Sequence, residues 1–264
     1  MYLESPIAGQ GPRVIIDQLQ VGSQATSRNP ATESVSSTDI LVQIAAAFQM
    51  RPDVANLLQG RRRIYQGGRG RRTALFASTK NGGAISVESR LELAHAVALE
   101  GSSSVIRYRT QAVCITLTER HVAYPDFLVE VTGGRFEIHE IKPSIAHLSA
   151  DETQRFDRIE RILRSYGIAF RLIDSNNLAS GRALEERLLS YTRGHTEQYT
   201  SAQISLALKV LNSGPLGLFS DAYERLENHD LPSCLADYLN FHGQWVCPPR
   251  AKIQQSGSPR EQTY

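Results

Sequence analysis

The sequence predicts an α/β or α+β core followed by a run of small helices. Three observations carry that prediction. Residues 105–141 hold four strand-like runs, with Gly133-Gly134 between the last two. Helical patterns flank them at 86–100 and 151–165, and a further strand-like run follows at 168–173. An order of helix, several antiparallel strands, helix and strand builds this class of core. Past about residue 180 the period-two pattern gives way to helical patterns alone.

Residues 1–36 are rich in Ser, Thr, Gln, Gly and Pro and read as a loose arm, with Val14-Ile15-Ile16 as one short run able to pair as a strand. The segment TDILVQIAAAFQM, 38–50, predicts a short helix capped by Thr38 or Asp39. SVESRLELAHAVALE predicts a helix over 86–100, with Ser86 as cap and Leu91, Ala94, Val97 and Ala98 on one face. GSSS at 101–104 ends it. The strand runs are Val105–Arg109, Ala112–Leu117, Phe127–Val131 and Phe136–Ile141, the last two joined as a hairpin. In the helix over 151–165, Phe156, Ile159, Ile162 and Leu163 are the apolar set, and Ile168–Ile173 is the strand after it.

Further helices are expected at 182–193, 201–212, 217–227 and 233–241, separated by Gly214-Pro215 and Asp230-Leu231-Pro232. Gln244-Trp245-Val246 reads as short and extended. Three small helices and a strand outline a winged helix-turn-helix, and equally many small helical bundles. The expected organisation is an arm with a short helix at 1–59, a core at 60–178, a helical winged-helix-like domain at 179–252 and a disordered tail at 253–264.

A chain of 264 residues, 41% hydrophobic and 21% charged, is one large or two small folded domains. No apolar run approaches the ~18 residues of a membrane span, and MYLESPIAGQGPR lacks a charged-then-apolar leader. A cytoplasmic protein without a membrane partner is expected. Cys114, Cys234 and Cys247 form no CxxC pair and no disulfide framework, and Cys114 reads as a buried mid-strand thiol. His229, Cys234, His242 and Cys247 lack the tight cysteine pairs of structural zinc, and Leu231 and Trp245 beside them suggest packing. No glycine-rich nucleotide motif occurs.

The net charge of +2 identifies no partner. Only four basic residues are Lys (Lys80, Lys142, Lys209, Lys252) and the rest are Arg. Arg suits bidentate phosphate contacts, but an Arg excess also follows from a GC-rich genome. RRRIYQGGRGRR, residues 61–72, gathers Arg61, Arg62, Arg63, Arg69, Arg71 and Arg72 without an acid. It reads as a loop that tracks DNA phosphates or as a solvated linker.

The chemistry gathers at one sheet edge. Pro125-Asp126 opens one strand, and Glu140-Ile141-Lys142 closes the next. Alternation puts Glu140 and Lys142 on one face, and pairing through Gly133-Gly134 sets Asp126 opposite them. Two carboxylates and a lysine suit metal-assisted phosphodiester cleavage. The acids hold Mg²⁺ (or Mn²⁺), with the Ile141 carbonyl as a further oxygen ligand. Lys142 orients the water or offsets developing charge. A third carboxylate is expected from the preceding helix. Glu88 and Glu92 are four apart and would share a face; Glu92 is favoured because apolar neighbours surround it, with Glu88 as second choice. The bland alternative is a surface ion pair worth little. His139 points to the other sheet face and reads as a surface histidine.

Glu92, Pro125-Asp126 and Glu140-Ile141-Lys142 together resemble the PD-(D/E)xK nuclease pattern. ALFASTKNGGAISVESRLE (74–92), VIRYRTQ (105–111) and YPDFLVE (124–130) resemble the TnsA endonuclease N-terminal domain, through Ser78, Lys80, Glu88-Ser89-Arg90-Leu91-Glu92 and Gln111. The resemblance spans about residues 60–175; Ala112 stands where the family usually has Pro. It implies a restriction-endonuclease-like core with a mixed central sheet, followed by a winged-helix module. Glu92, Asp126, Glu140 and Lys142 would be catalytic. Gln111 would support them, and Lys80 and the arginine loop would contact DNA. The implied role is the subunit of a heteromeric cut-and-paste transposase that cuts the 5′ strands at transposon ends. A TnsB-like DDE transposase and a TnsC-like AAA+ ATPase would be its partners. Two other classes fit the same residues: a non-catalytic DNA-binding assembly factor with a nuclease-like core, and a restriction or repair nuclease.

Overall fold

In a computed structural model the described residues are 40–49, 51–52 and 74–246, and they belong to one compact unit that starts at residue 37. Val14-Ile15-Ile16, the arginine loop 61–72, Cys247 and the tail lie outside the described residues. The elements in chain order are α1 (Ile40–Ala47), β1 (Ala74–Ser78), β2 (Gly83–Val87), α2 (Arg90–Gly101), β3 (Val105–Thr110), β4 (Ile115–Thr118), β5 (His121–Ala123), β6 (Phe127–Val131), β7 (Arg135–Lys142), α3 (Ala150–Ser165), β8 (Ala169–Asp174), α4 (Gly181–Gly194), α5 (Ser201–Leu211), α6 (Phe219–Glu227) and α7 (Leu235–Phe241).

The fold is mixed α/β. Its centre is a four-stranded mixed sheet in the order β3-β6-β7-β8. The first three strands run antiparallel, and β7 pairs with β8 in parallel. A parallel pair needs a crossover, which α3 supplies. The β6–β7 turn closes because Gly133 and Gly134 take φ of 84° and 71°, a region side chains resist.

Strand alternation sorts the two sheet faces. Phe127, Val129, Val131 and Ile141 face a core built with α2, the β1-β2 hairpin, Leu184 and Tyr191 of α4, and Phe241 of α7. Leu128 and Ile138 face the opposite core, with α1, α3 and the β4-β5 hairpin. A third core joins α5, α6 and α7 around Phe219, Leu226 and Trp245.

Several expectations shift. Ser86 does not cap a helix; it lies buried in β2, which pairs with β1. The cap is Ser89, whose hydroxyl accepts the Glu92 N–H at 3.1 Å. The apolar spacing of α2 continues backwards through Val87, which is why the helix reads as longer than it is. Cys114 sits ahead of β4 and half-buried rather than mid-strand. The Gln43 amide brackets its backbone, accepting from Cys114 N at 2.8 Å and donating to Cys114 O at 3.1 Å. That contact fastens α1 to the core. Gln244-Trp245-Val246 forms no strand; Trp245 is buried against Phe219 instead. No helix among the described residues is long and apolar enough to cross a membrane.

Candidate active site

Asp126 stands one residue ahead of β6, after the buried Pro125. Its main chain is fixed from β3, where Gln111 N–H donates to the Asp126 carbonyl at 2.9 Å. Gln111 is buried and takes a left-handed φ of 48° as the chain leaves β3, a conformation that costs a side-chain-bearing residue about 1–2 kcal/mol. The expected supporting residue thus touches Asp126 through its backbone. The carboxylate is fixed from β7: Asp126 Oδ2 accepts from Ile141 N–H at 2.8 Å. The last β6–β7 ladder pair, Phe127 with His139, brings Asp126 beside Glu140.

Glu140 and Lys142 share a face, with Lys142 Nζ 3.0 Å from Glu140 Oε1. That face looks onto α3. The Phe156 ring lies 5.2 Å from Lys142 Nζ, and Arg155 Nη2 lies 3.7 Å from the same Glu140 oxygen. Sequence reasoning did not single out Arg155. Its signal was its place beside the apolar Phe156 in the helix that follows the E-x-K strand.

Glu92 is buried in the first turn of α2, not deep within the helix. Its carboxylate accepts from Glu88 N–H at 2.8 Å and from the Ser89 hydroxyl at 3.0 Å, so it closes the start of its own helix. Glu88 precedes the cap, and the helix face it was expected to share with Glu92 does not form.

The charge of Glu92 still reaches Asp126. Burial, then the Glu140 carboxylate, pushes the Asp126 carboxyl up to about 7; Glu92 adds to this, while the Ile141 N–H and Lys142 oppose it. Acids that crowd one desolvated carboxyl supply hard oxygen donors and excess negative charge, the chemistry that suits Mg²⁺ or Mn²⁺. Asp126 and Glu140 fit that donor set side by side. Among the described residues, however, no three His, Cys, Asp or Glu side chains are grouped as ligands of one ion. Glu92 is turned into its cap and Glu140 towards Lys142.

Lys80, expected at the DNA, is half-buried against the end of α2. Its ammonium donates to the Val105 carbonyl at 2.6 Å and to the Ser102 carbonyl. Burial lowers its pKa and the nearby Glu100 opposes the shift. Glu100, 1% exposed, accepts from Tyr108 at 2.9 Å and from Ser78.

His139 is not a surface residue: it is 5% exposed and lies under α2. Its Nδ1 faces His95 Nε2 at 3.0 Å, and its Nε2 faces Glu137 Oε2 at 3.0 Å. Arg171 donates twice to Glu137, and those bonds come first among the causes that pull Glu137 down to about 2.

The described candidate zinc residues, His229, Cys234 and His242, are not gathered. His242 pairs with His195 at 3.1 Å, Cys234 accepts from Tyr199 at 3.0 Å, and His229 meets the Arg225 carbonyl. The chain matches no family model and no curated protein.

Proposed function

We propose that the chain is a metal-dependent DNA endonuclease of the PD-(D/E)xK type. In this reading it is the TnsA-like subunit of a cut-and-paste transposase, cutting the 5′ strands at transposon ends. One observation carries it: Asp126 and the Glu140-Ile141-Lys142 strand end meet directly, through the 2.8 Å bond from Ile141 N–H to Asp126 Oδ2. A mixed sheet with helices on both faces is consistent with a restriction-endonuclease-like core, and the helices from Gly181 onward would be the winged-helix-like module.

Asp126 and Glu140, with the Ile141 carbonyl and Glu92 as the remaining candidates, would hold Mg²⁺ or Mn²⁺. The ion, when bound, would lower the pKa of water and offset charge on the phosphate. Lys142, a compact donor beside Glu140, would orient the attacking water or meet the developing negative charge. Gln111 would keep Asp126 at the sheet edge. Duplex DNA, a TnsB-like DDE transposase and a TnsC-like AAA+ ATPase are the partners of this reading.

The engagement of the Glu92 carboxylate in its helix cap favours a second reading, an assembly factor that binds DNA without cutting it. A cleavage assay separates the two. The protein, its partner transposase, transposon-end DNA and Mg²⁺ or Mn²⁺ should give 5′-strand nicks, and Asp126→Ala should bind equally and not nick. Nicks at equal rates from both proteins would reject the nuclease reading.

A further inference from the structure

Arg155 lies in the second turn of α3, at the rim of the site. Its guanidinium is 3.7 Å from Glu140 Oε1, the oxygen that Lys142 meets at 3.0 Å. Both cations lie over one ring: Phe156 is 4.8 Å from the Arg155 guanidinium and 5.2 Å from the Lys142 ammonium. Phe156 is 3% exposed and packs with Ile159 and Leu163, so the ring is a fixed platform for both.

The two cations are used differently. The Lys142 side chain is 20% exposed and ion-paired. The Arg155 side chain is 44% exposed, and 3.7 Å is too long for a hydrogen bond to Glu140. Among the described residues its planar fork of donors makes no hydrogen bond. Glu152, the other acid that feels both cations, is committed to the Ser149 N–H at 3.0 Å.

An exposed guanidinium with an unused fork, held beside a cleavage site, matches two oxygens of one phosphate. Resting on the nuclease reading for its DNA, we propose that Arg155 grips a backbone phosphate of the duplex next to the bond that is cut. Lys142 remains the point charge at Glu140, and Arg155 binds substrate.

The test is a salt series. The full chain and its Arg155→Ala and Arg155→Lys variants bind non-specific duplex DNA in EDTA, followed by fluorescence anisotropy. Arg155→Ala should bind about tenfold more weakly at low salt, and its log–log salt slope should fall by ~0.9, the value of one phosphate contact. Arg155→Lys should restore the slope and only part of the affinity, because it keeps the charge and loses the fork. Equal slopes for wild type and Arg155→Ala, at equal melting temperatures, overturn the proposal. Nicking of a plasmid that carries transposon ends, with the partner transposase and Mn²⁺, keeps the two readings apart. A wild type that shows the Arg155-dependent slope but never nicks retains the phosphate grip and loses the nuclease. A wild type that nicks, with an unchanged slope in Arg155→Ala, loses Arg155 alone.

Discussion

His95 Nε2 and His139 Nδ1 stand 3.0 Å apart in the core, and the bond between them ties α2 to β7. Glu137 faces the other nitrogen of His139. An ionised carboxylate only accepts, so neutral His139 donates through Nε2 and accepts at Nδ1. His95 therefore carries its proton on Nε2. This bond lies one helical turn from Glu92 and one residue from Glu140, so it sets the spacing of two elements that bear the acids. His95→Ala removes the donor and the ring edge that meets Phe127 at 5.0 Å between centroids. Urea unfolding should show a loss of about 2–4 kcal/mol. His95→Gln, which keeps an N–H, should recover part of it. A loss within error for His95→Ala would mean that the pair does not hold α2.

Acid should expose the same pair. Burial, then His139, pushes His95 down to about 3, and burial lowers His139 as well. Unfolded histidines titrate near pH ~6.5. As pH falls from there towards 3, the unfolded chain takes up a proton that folded His95 refuses. Stability therefore declines, by on the order of 1 kcal/mol per pH unit for this group. Asp126 works in the opposite direction. Its folded pKa of about 7 lies above its ordinary 3.8, so its contribution is present at low pH and is lost as pH rises through 7. Comparing wild type with His95→Gln removes the Asp126 effect. Between pH ~7 and ~5 the wild type should lose stability faster, and parallel curves would show that His95 titrates normally.

The crowded acids give a metal prediction. At pH ~8 without divalent ions, Asp126→Asn should be more stable than wild type by about 1–2 kcal/mol, because one of several like charges is gone. Mg²⁺ or Mn²⁺ should raise the melting temperature of the wild type and that of Asp126→Ala much less. Equal responses would count against a cation at this position.

Lys142 separates chemistry from binding. On the proposed nuclease reading, Lys142→Ala should still bind transposon-end DNA with a partner transposase and should fail to cut the 5′ strand. Lys142→Arg should rescue poorly, because a guanidinium is broader than an ammonium. Replacing Arg61, Arg62, Arg63, Arg69, Arg71 and Arg72 should weaken binding and flatten its salt dependence, by ~0.9 in slope for each phosphate no longer neutralised. Wild-type cutting by Lys142→Ala would hand the lead to the assembly-factor reading.

The central strands were legible because alternation and turns are local. Strand β6 spans Phe127–Val131, as its apolar run indicates, and Gly133-Gly134 turns where two positive φ values are needed. The meeting of Asp126 with the Glu140–Lys142 strand end was legible for the same reason, since a two-residue period fixes which side chains share a face. The β1-β2 hairpin was not legible: its strands are short and rich in Ala, Ser and Gly, and Ser86-Val87 merge into the apolar spacing of α2. His139 read as a surface residue because nothing local announces that α2 lies over it. The same holds for Arg155 and for the helix cap that engages Glu92, which depend on contacts between elements or on where a helix begins.

The two hydrogen bonds that position Asp126 come from main-chain N–H groups, at Gln111 for its carbonyl and at Ile141 for its carboxylate. Every residue except proline carries such a group. Neither bond therefore depends on which side chain these two positions carry, although Ile141 is also held by the core it packs in. Position 111 adds a mild preference for Gly, Asn or Asp, which enter the left-handed region readily. The inheritance that keeps this corner intact is one acid, one E-x-K and a prohibition on proline at two places, a mark so faint that distant descendants would share the geometry long after their sequences had ceased to look alike.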